Sequence, residues 1–300
     1  MSQRKTFVTT INERRDFPYL GVHESEVPVS DFADLAKDAE FINFNSKAGN
    51  QDLLPDFKAL RYVSTNKITP ELVERLAQLP NLQVMQISSD KQETWPSLRP
   101  LSSLKYLILY NIKKLTSLDS LSGMTQLESL LLSELLKLTD ISALATLANL
   151  RELSLEGDLH GRGSVLPDID ALFSLSKLEY LKFFSKKTQL NAADFQSLKK
   201  LRFLRIHPFN QPFEFYAELE QYLPGDCEKF TPYVLIDHPE DECPKCGAVG
   251  LIKPIGIQQR AFCPSCAPKK LDTLLDTYEK FSGKPREAAI QHISFLKDRA

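Results

Sequence analysis

Between residues 60 and 206 apolar side chains recur in one phrase, L-x-x-L-x-L, separated by polar and turn-forming stretches. It reads Leu82, Met85, Ile87; then Leu104, Leu107, Leu109; Leu127, Leu130, Leu132; and Leu150, Leu153, Leu155. Leu178, Leu181, Phe183 and Leu201, Leu204, Ile206 continue it. A weaker copy precedes these at Leu60, Val63 and Thr65, and a degenerate one stands at Phe41-Ile-Asn-Phe44, one period earlier. The first positions, 60, 82, 104, 127, 150, 178 and 201, step by 22, 22, 23, 23, 28 and 23 residues. Alternation inside each phrase predicts one short strand with its L-x-L residues turned inward and their neighbours outward. A fixed period of this length predicts stacked repeats, with the strands parallel and ~4.8 Å apart. One repeat cannot bury its own apolar side, so the stack itself must be the core.

The segments between strands must return the chain along the other side. Thr69-Pro70-Glu71 is an N-cap, an N1 proline and an acidic first turn, and Leu72, Val73, Leu76 and Leu79 follow at helical spacing. Later returns, DSLSGM and DISALATL, are shorter and predict single turns of helix.

The phrase, its period and returns such as LTSLDSLSGMTQLESL and LTDISALATLANLREL resemble the leucine-rich-repeat family over about residues 38–210. The nearest type is the 22–23-residue repeat of SDS22-like and bacterial internalin-like proteins. The resemblance implies an α/β repeat solenoid: a curved parallel sheet with a convex side of helices and turns. Members of the family place Asn or Cys three residues beyond the last strand leucine. Here Ile68, Asp90, Ile112, Leu135, Asp158, Lys186 and Phe209 occupy those places, so the asparagine ladder is absent and apolar residues are expected to fill the turns.

Outward positions of stacked strands form columns. The first is Tyr62, Val84, Tyr106, Ser129, Glu152, Tyr180, Phe203. The second is Ser64, Gln86, Ile108, Leu131, Ser154, Lys182, Arg205, and the third Asn66, Ser88, Tyr110, Ser133, Glu156, Phe184, His207. Two candidate partner-binding patches result. Tyr106, Ile108, Tyr110 and Leu131 make an apolar-aromatic area. Tyr180, Lys182, Phe184, Phe203, Arg205 and His207 make an aromatic-basic one. Clustered aromatics and arginine are what binding hot spots are built from. The competing reading is that these side chains pack on one another or are covered by the chain's own termini. The long sixth repeat places its extra length in EGDLHGRGSVLPD, residues 156–168, where His160 and Arg162 stand at the expected tip of a loop beside the face.

Beyond the repeats, PFEFYAELEQYLPG predicts a closing amphipathic helix, and KFTPYVLID a strand. Cys243, Cys246, Cys263 and Cys266 then form two Cys-x-x-Cys pairs with sixteen residues between the inner cysteines. Two such knuckles supply four thiolates, a complete tetrahedral set for structural Zn2+, and resemble a zinc ribbon with a hairpin between the pairs. A rubredoxin-like iron site shares the spacing; a RING module needs twice the ligands. His238 is redundant as a ligand, and Cys227 reads as a free thiol. Two helices are expected next, one facing inward through Leu271, Leu274, Leu275 and Tyr278, the other through Ile290, Ile293 and Leu296. Lys269, Lys270, Lys284 and Arg286 are expected on a solvated face.

Composition narrows the picture further. Net charge is −2, which is not the footprint of a general nucleic-acid binder. Yet residues 214–242 hold nine acids against Lys229, and residues 243–300 hold ten Lys or Arg against five acids. Either the connector and tail complement each other, or the basic tail meets nucleic acid. No apolar run is long enough to span a bilayer, and no secretory signal opens the chain. Five cysteines, four in metal spacing, fit a cytoplasmic setting. No catalytic constellation appears. Four regions are expected: an N-terminal cap (1–40), the solenoid (41–210), a C-terminal cap with acidic connector (211–242), and the zinc ribbon with two helices (243–300). The resemblance implies a non-enzymatic scaffold, of bacterial type, that grips a protein partner on the concave face, with no membrane contact. Nucleic-acid association through the basic tail, and an immunity- or effector-type regulatory role, are the alternatives.

Overall fold

The computed structural model describes residues 28–157, 163–185, 188–206, 211–227, 232–236 and 242–290. The chain divides into two compact units, residues 1–186 and 187–300.

In the first unit every phrase is one strand. These are β1 (Val29–Asp31), β2 (Phe41–Gly49), β3 (Tyr62–Thr65), β4 (Val84–Ser88), β5 (Tyr106–Tyr110), β6 (Ser129–Ser133), β7 (Glu152–Glu156) and β8 (Tyr180–Phe183). They pair in chain order, and a further strand, β9 (Phe203–Ile206), belongs to the second unit. From β2 to β8 the strands are parallel and in the register of the repeat, Phe41 opposite Tyr62, Tyr62 opposite Val84, and onward to Glu152 opposite Tyr180. This is a leucine-rich-repeat solenoid. Its core is the inward ladder Val63, Met85, Leu107, Leu130, Leu153, Leu181, none more than 1% exposed. Each fully buried leucine contributes about 1.5–3 kcal/mol, available only when the neighbouring strand is in place.

The degenerate copy near Phe41 is therefore a true strand, and β1 adds a strand that the repeat pattern does not carry. The chain there closes the end of the stack with aromatics: Phe32 lies edge-on to Phe44 and Phe57, with ring centroids 5.1 and 5.9 Å away.

The returns follow the expected scheme. Helix α1 (Pro70–Leu76) is capped by Thr69, whose hydroxyl oxygen accepts from the Leu72 N–H at 3.2 Å. Later returns are short turns of 3-10 helix, Asp119–Leu121 and Ser142–Thr146, and the brief α2 (Asp170–Phe173). A period of 22–23 residues that spends five on a strand leaves room for little more. Where the strands end, the chain bends at matching places: Ser89, Asn111 and Glu134 all adopt left-handed backbone, with φ near 60°. Each donates its N–H to the last carbonyl of the next strand, as Ser89 does to Tyr110 at 3.0 Å.

The turn positions that lack asparagine are filled as expected in part. Ile68, Ile112 and Leu135 are buried at 2% or less. Asp90, also buried, does what the missing asparagine would do. Its carboxylate accepts from the N–H of Ile68 (3.0 Å) and of Gln92 (2.7 Å), and the Gln92 amide donates to the Ile68 carbonyl at 2.7 Å. Asp158, Lys186 and Phe209 lie outside the described residues.

In the second unit a 3-10 turn (Ala192–Ser197) and β9 are followed by helix α3 (Phe213–Tyr222), which buries Phe213, Phe215, Tyr216 and Leu219. Strands β10 (Tyr233–Ile236) and β11 (Leu251–Pro254) pair antiparallel, and helices α4 (Pro268–Ser282) and α5 (Arg286–Ile290) end the described chain. Among the described helices none is long and apolar enough to cross a membrane.

Asp90→Ala should lower stability by about 2–3 kcal/mol, because the buried Ile68 N–H and the half-buried Gln92 N–H lose their acceptors. Asp90→Asn retains one acceptor oxygen and should cost about 1 kcal/mol. Denaturant midpoints of the two variants check this ordering.

Candidate metal centre and binding face

The metal centre is assembled by two backbone knuckles. In the first, Gly247 donates its N–H to the Cys243 carbonyl at 2.8 Å and takes a left-handed φ of +69° that glycine tolerates freely. In the second, Ala267 donates to the Cys263 carbonyl at 3.0 Å. Between them, β11 carries the intervening segment back. It pairs with the upstream strand β10 along its length, while the expected hairpin partner shrinks to a single bridge, with Ile252 and Phe262 exchanging both backbone bonds at 2.9 Å. Ile252 is fully buried, so this ladder is also the small core of the ribbon.

The four sulfurs lie within 4.8 Å of one another. Cys243 and Cys266 are 3.7 Å apart, as are Cys246 and Cys263. A disulfide would need ~2.05 Å. Sulfurs at ~2.3 Å around one tetrahedral metal would stand ~3.8 Å from one another, so the donor set has the size of a metal site. Electrostatics agrees. The Lys245 and Cys246 N–H groups point at the Cys243 sulfur and draw its thiol down to about 6, while the neighbouring Cys246 and Cys243 push Cys266 up to about 12. Four thiols this close cannot all ionise together without a cation. The cluster can bind a metal ion, and four sulfur ligands close a tetrahedral coordination sphere. Cys227 is buried and is not one of the four clustered cysteines, and His238 lies outside the described residues.

The helices behind the ribbon are fastened to it. Leu274, Leu275 and Tyr278 face inward, and Gly283 ends α4 with a left-handed cap. The Tyr233 hydroxyl donates to the Ala289 carbonyl at 3.1 Å, and burial raises its pKa. Two of the four cations expected on a solvated face are committed to pairs. Lys284 pairs with Glu220 of the acidic connector, and Arg286 bridges Asp272 and Asp276 at 2.7 and 3.0 Å. Lys269 and Lys270 are exposed. Ile293 and Leu296 lie outside the described residues.

The outward face of the sheet presents the predicted columns in register, but their exposure is uneven. Tyr106 (7%), Ile108 (1%), Leu131 (6%) and Tyr180 (6%) are buried. Part of the reason is the column itself: Tyr62, Val84 and Tyr106 pack as one cluster with Phe41 against it, and the Phe41 and Tyr62 rings lie 4.6 Å apart. The Tyr62 hydroxyl also donates to the Gln86 amide oxygen at 2.7 Å. Glu152, at 1%, is buried in the same column. Solvent reaches Tyr110, Lys182 and Phe184 in part. Lys182 pairs with Glu156 at 2.9 Å, and that carboxylate also accepts from the Ser154 hydroxyl at 2.8 Å. In the second unit Arg205 is exposed and its guanidinium stands 5.9 Å from the Phe203 ring. His207 lies outside the described residues, as do His160 and Arg162.

The return leg of the long loop is tied down. Ser164, buried, donates its hydroxyl to the Leu135 carbonyl at 2.7 Å, and Ser185 donates to the Ser164 carbonyl at 2.9 Å. Gly163 sits so close to Phe184 that a Cβ would fall 2.7 Å from the ring. The sequence gives no periodic signal for this contact, although a glycine beside a strand-end phenylalanine is compatible with it.

No family model matches the sequence, and no curated protein matches it. Solved structures do. An internalin (inlF) of Listeria monocytogenes is 21% identical, with a TM-score of 0.44, over 61% of this chain and 53% of its own. Internalin C2 of the same organism is 22% identical, with a TM-score of 0.41, over 59% and 72%. A leucine-rich-repeat protein of Leptospira interrogans is 19% identical, with a TM-score of 0.39, over 59% and 49%. The chain thus spans about half the length of the first of these. The repeat assignment itself rests on this chain's strand register and buried leucine ladder.

Titration of the reduced protein with Co2+ should produce a thiolate-to-metal charge-transfer band, and Cys246→Ser should diminish it and weaken binding. A second outcome concerns Tyr106. Because its ring is packed, Tyr106→Ala should cost about 3 kcal/mol of stability; thermal unfolding reads this directly.

Proposed function

We propose that this leucine-rich-repeat chain is a non-enzymatic scaffold that holds a protein partner on the outward face of its strands, with a structural Zn2+ fastening the ribbon. The supporting observation is the sheet face itself. Its inward side is spent on the leucine ladder, so a partner meets those outward side chains that solvent still reaches. Lys182 and Phe184 of the first unit keep a cation and an aromatic ring within reach of solvent, and so, separately, do Arg205 and Phe203 of the second. Aromatic rings with arginine beside them are the side chains that anchor protein interfaces. Tyr106, Ile108 and Leu131 then serve as the rigid floor of the middle repeats, and Tyr110 at the strand end adds a half-exposed ring.

Zinc is the metal this reading favours, because four thiolates in two knuckles match its preference for closed structural sites. A closed site has no position for substrate, which fits a scaffold better than an enzyme. Free thiolates of this kind suit a reducing compartment, and a cytoplasmic setting accords with them.

The test uses proteins captured from native extract by the full-length chain. Phe203→Ala with Arg205→Glu should weaken the retained partner by about tenfold or more, while unfolding temperature and metal content stay those of the parent. Equal retention by the double variant would remove the sheet face from this role. Elemental analysis of the purified chain should find one zinc per chain; iron in its place would overturn the zinc assignment alone.

A further inference from the structure

A cavity of about 480 Å³ lies wholly within the second unit, between the start of α3, the segment after β11 and the first half of α4. Its volume falls in the ~300–1,000 Å³ range of small-molecule sites. Three cations line it, Arg260, Lys269 and Lys270, against one carboxylate, Glu214. Among the described residues none of the three is in an ion pair, whereas Lys284 and Arg286 nearby are. Three positive charges against one negative leave two positive charges unbalanced, and a phosphomonoester carries ≈ −1.5 to −2 at neutral pH. The floor is apolar: Phe213 and Leu274 are buried there, and the half-buried Phe262 offers a ring. The amides of Gln258 and Gln259 supply donors and acceptors at the rim.

The wall bearing these groups is held in place. Ile257 donates its N–H to the Gln211 carbonyl at 2.9 Å, and the buried Gln211 amide donates to the Thr188 carbonyl at 2.7 Å. Gly256 takes φ +114°, and a Cβ there would stand 2.8 Å from the Phe213 nitrogen, so the segment presses against α3 only because the residue is glycine. Next to it Gln258 adopts left-handed backbone, φ 61°, at the cavity rim. A non-glycine residue held there costs about 1 kcal/mol or more, and such strain tends to gather at ligand sites.

We infer that this cavity binds a phosphorylated ligand bearing a planar ring, a nucleoside monophosphate being the simplest member. The phosphate sits among Arg260, Lys269 and Lys270, and the ring lies against Phe262 over the Phe213–Leu274 floor. This site stands on residues of the second unit alone and is independent of the role of the sheet face.

Calorimetric titration of the full-length, metal-loaded chain with adenosine monophosphate should show saturable binding. Ribose 5-phosphate, which lacks the ring, should bind about tenfold more weakly. Lys269→Glu with Lys270→Glu should weaken the nucleotide by about tenfold or more, and Phe262→Leu by several-fold, with the unfolding temperature retained. Arg260→Gln gives the same reading should the double variant fail to fold. A 5′-phosphorylated tetranucleotide separates the two sources of the ligand: equal or tighter binding identifies a strand end, and loss of binding identifies a free nucleotide. Absence of saturation at millimolar nucleotide overturns the proposal. So does an affinity unchanged by the charge reversals, or an acidic aromatic peptide that binds as tightly as the nucleotide.

Discussion

A single turn of this chain has an apolar strand side that it cannot cover by itself, and each strand is completed by the next. Val63 needs Met85, Met85 needs Leu107, and so on to Leu181, every one of them buried at 1% or less. This nearest-neighbour dependence fixes the rest of the first unit. It holds the strands parallel and in one register, it makes all returns run along the same side, and it requires closed ends. The N-terminal end is closed by Phe32 set against Phe44 and Phe57 rather than by another leucine repeat.

The same stacking brings outward residues of successive strands together, and here side-chain size decides what they do. Where the column holds Tyr62, Val84 and Tyr106, the side chains fill the space between one another and become a second packed layer. In the second column Lys182 stays half-buried, its ammonium paired with Glu156. Turn chemistry shows the same economy: with asparagine absent, one carboxylate, Asp90, satisfies backbone donors on two sides of a bend.

The second unit is organised on a different principle. Its ribbon has a two-strand ladder and one fully buried isoleucine, too little apolar surface to hold a small module alone. A metal ion held by the cysteine cluster would supply the missing constraint, since metal-binding free energy becomes folding free energy. The pairs Lys284–Glu220 and Arg286 with Asp272 and Asp276 add electrostatic fastening, of which the exposed Arg286 contacts contribute little. The acidic connector and the basic tail thus meet at Lys284, while Arg260, Lys269 and Lys270 remain available around their cavity.

The repeat period, the strand phase, the helix cap at Thr69 and the four-cysteine set were all legible in the sequence. Each is a local pattern that recurs or has a fixed spacing, and the physics that reads it acts over a few residues. Strand β1, the aspartate that replaces the asparagine turn, the pinned return of the long loop and the basic cavity were not, because each depends on partners well beyond the span of a local pattern, as with Asp90 and Ile68 or Ser164 and Leu135. Exposure was the other quantity hidden from the sequence. Tyr106 and Phe203 hold the same place in their repeats and carry similar rings, yet one is packed and the other reaches solvent. Alternation alone determined that both point away from the leucine core; what surrounds each ring, which only the tertiary structure decided, depends on the neighbouring side chains that the fold assembles around it.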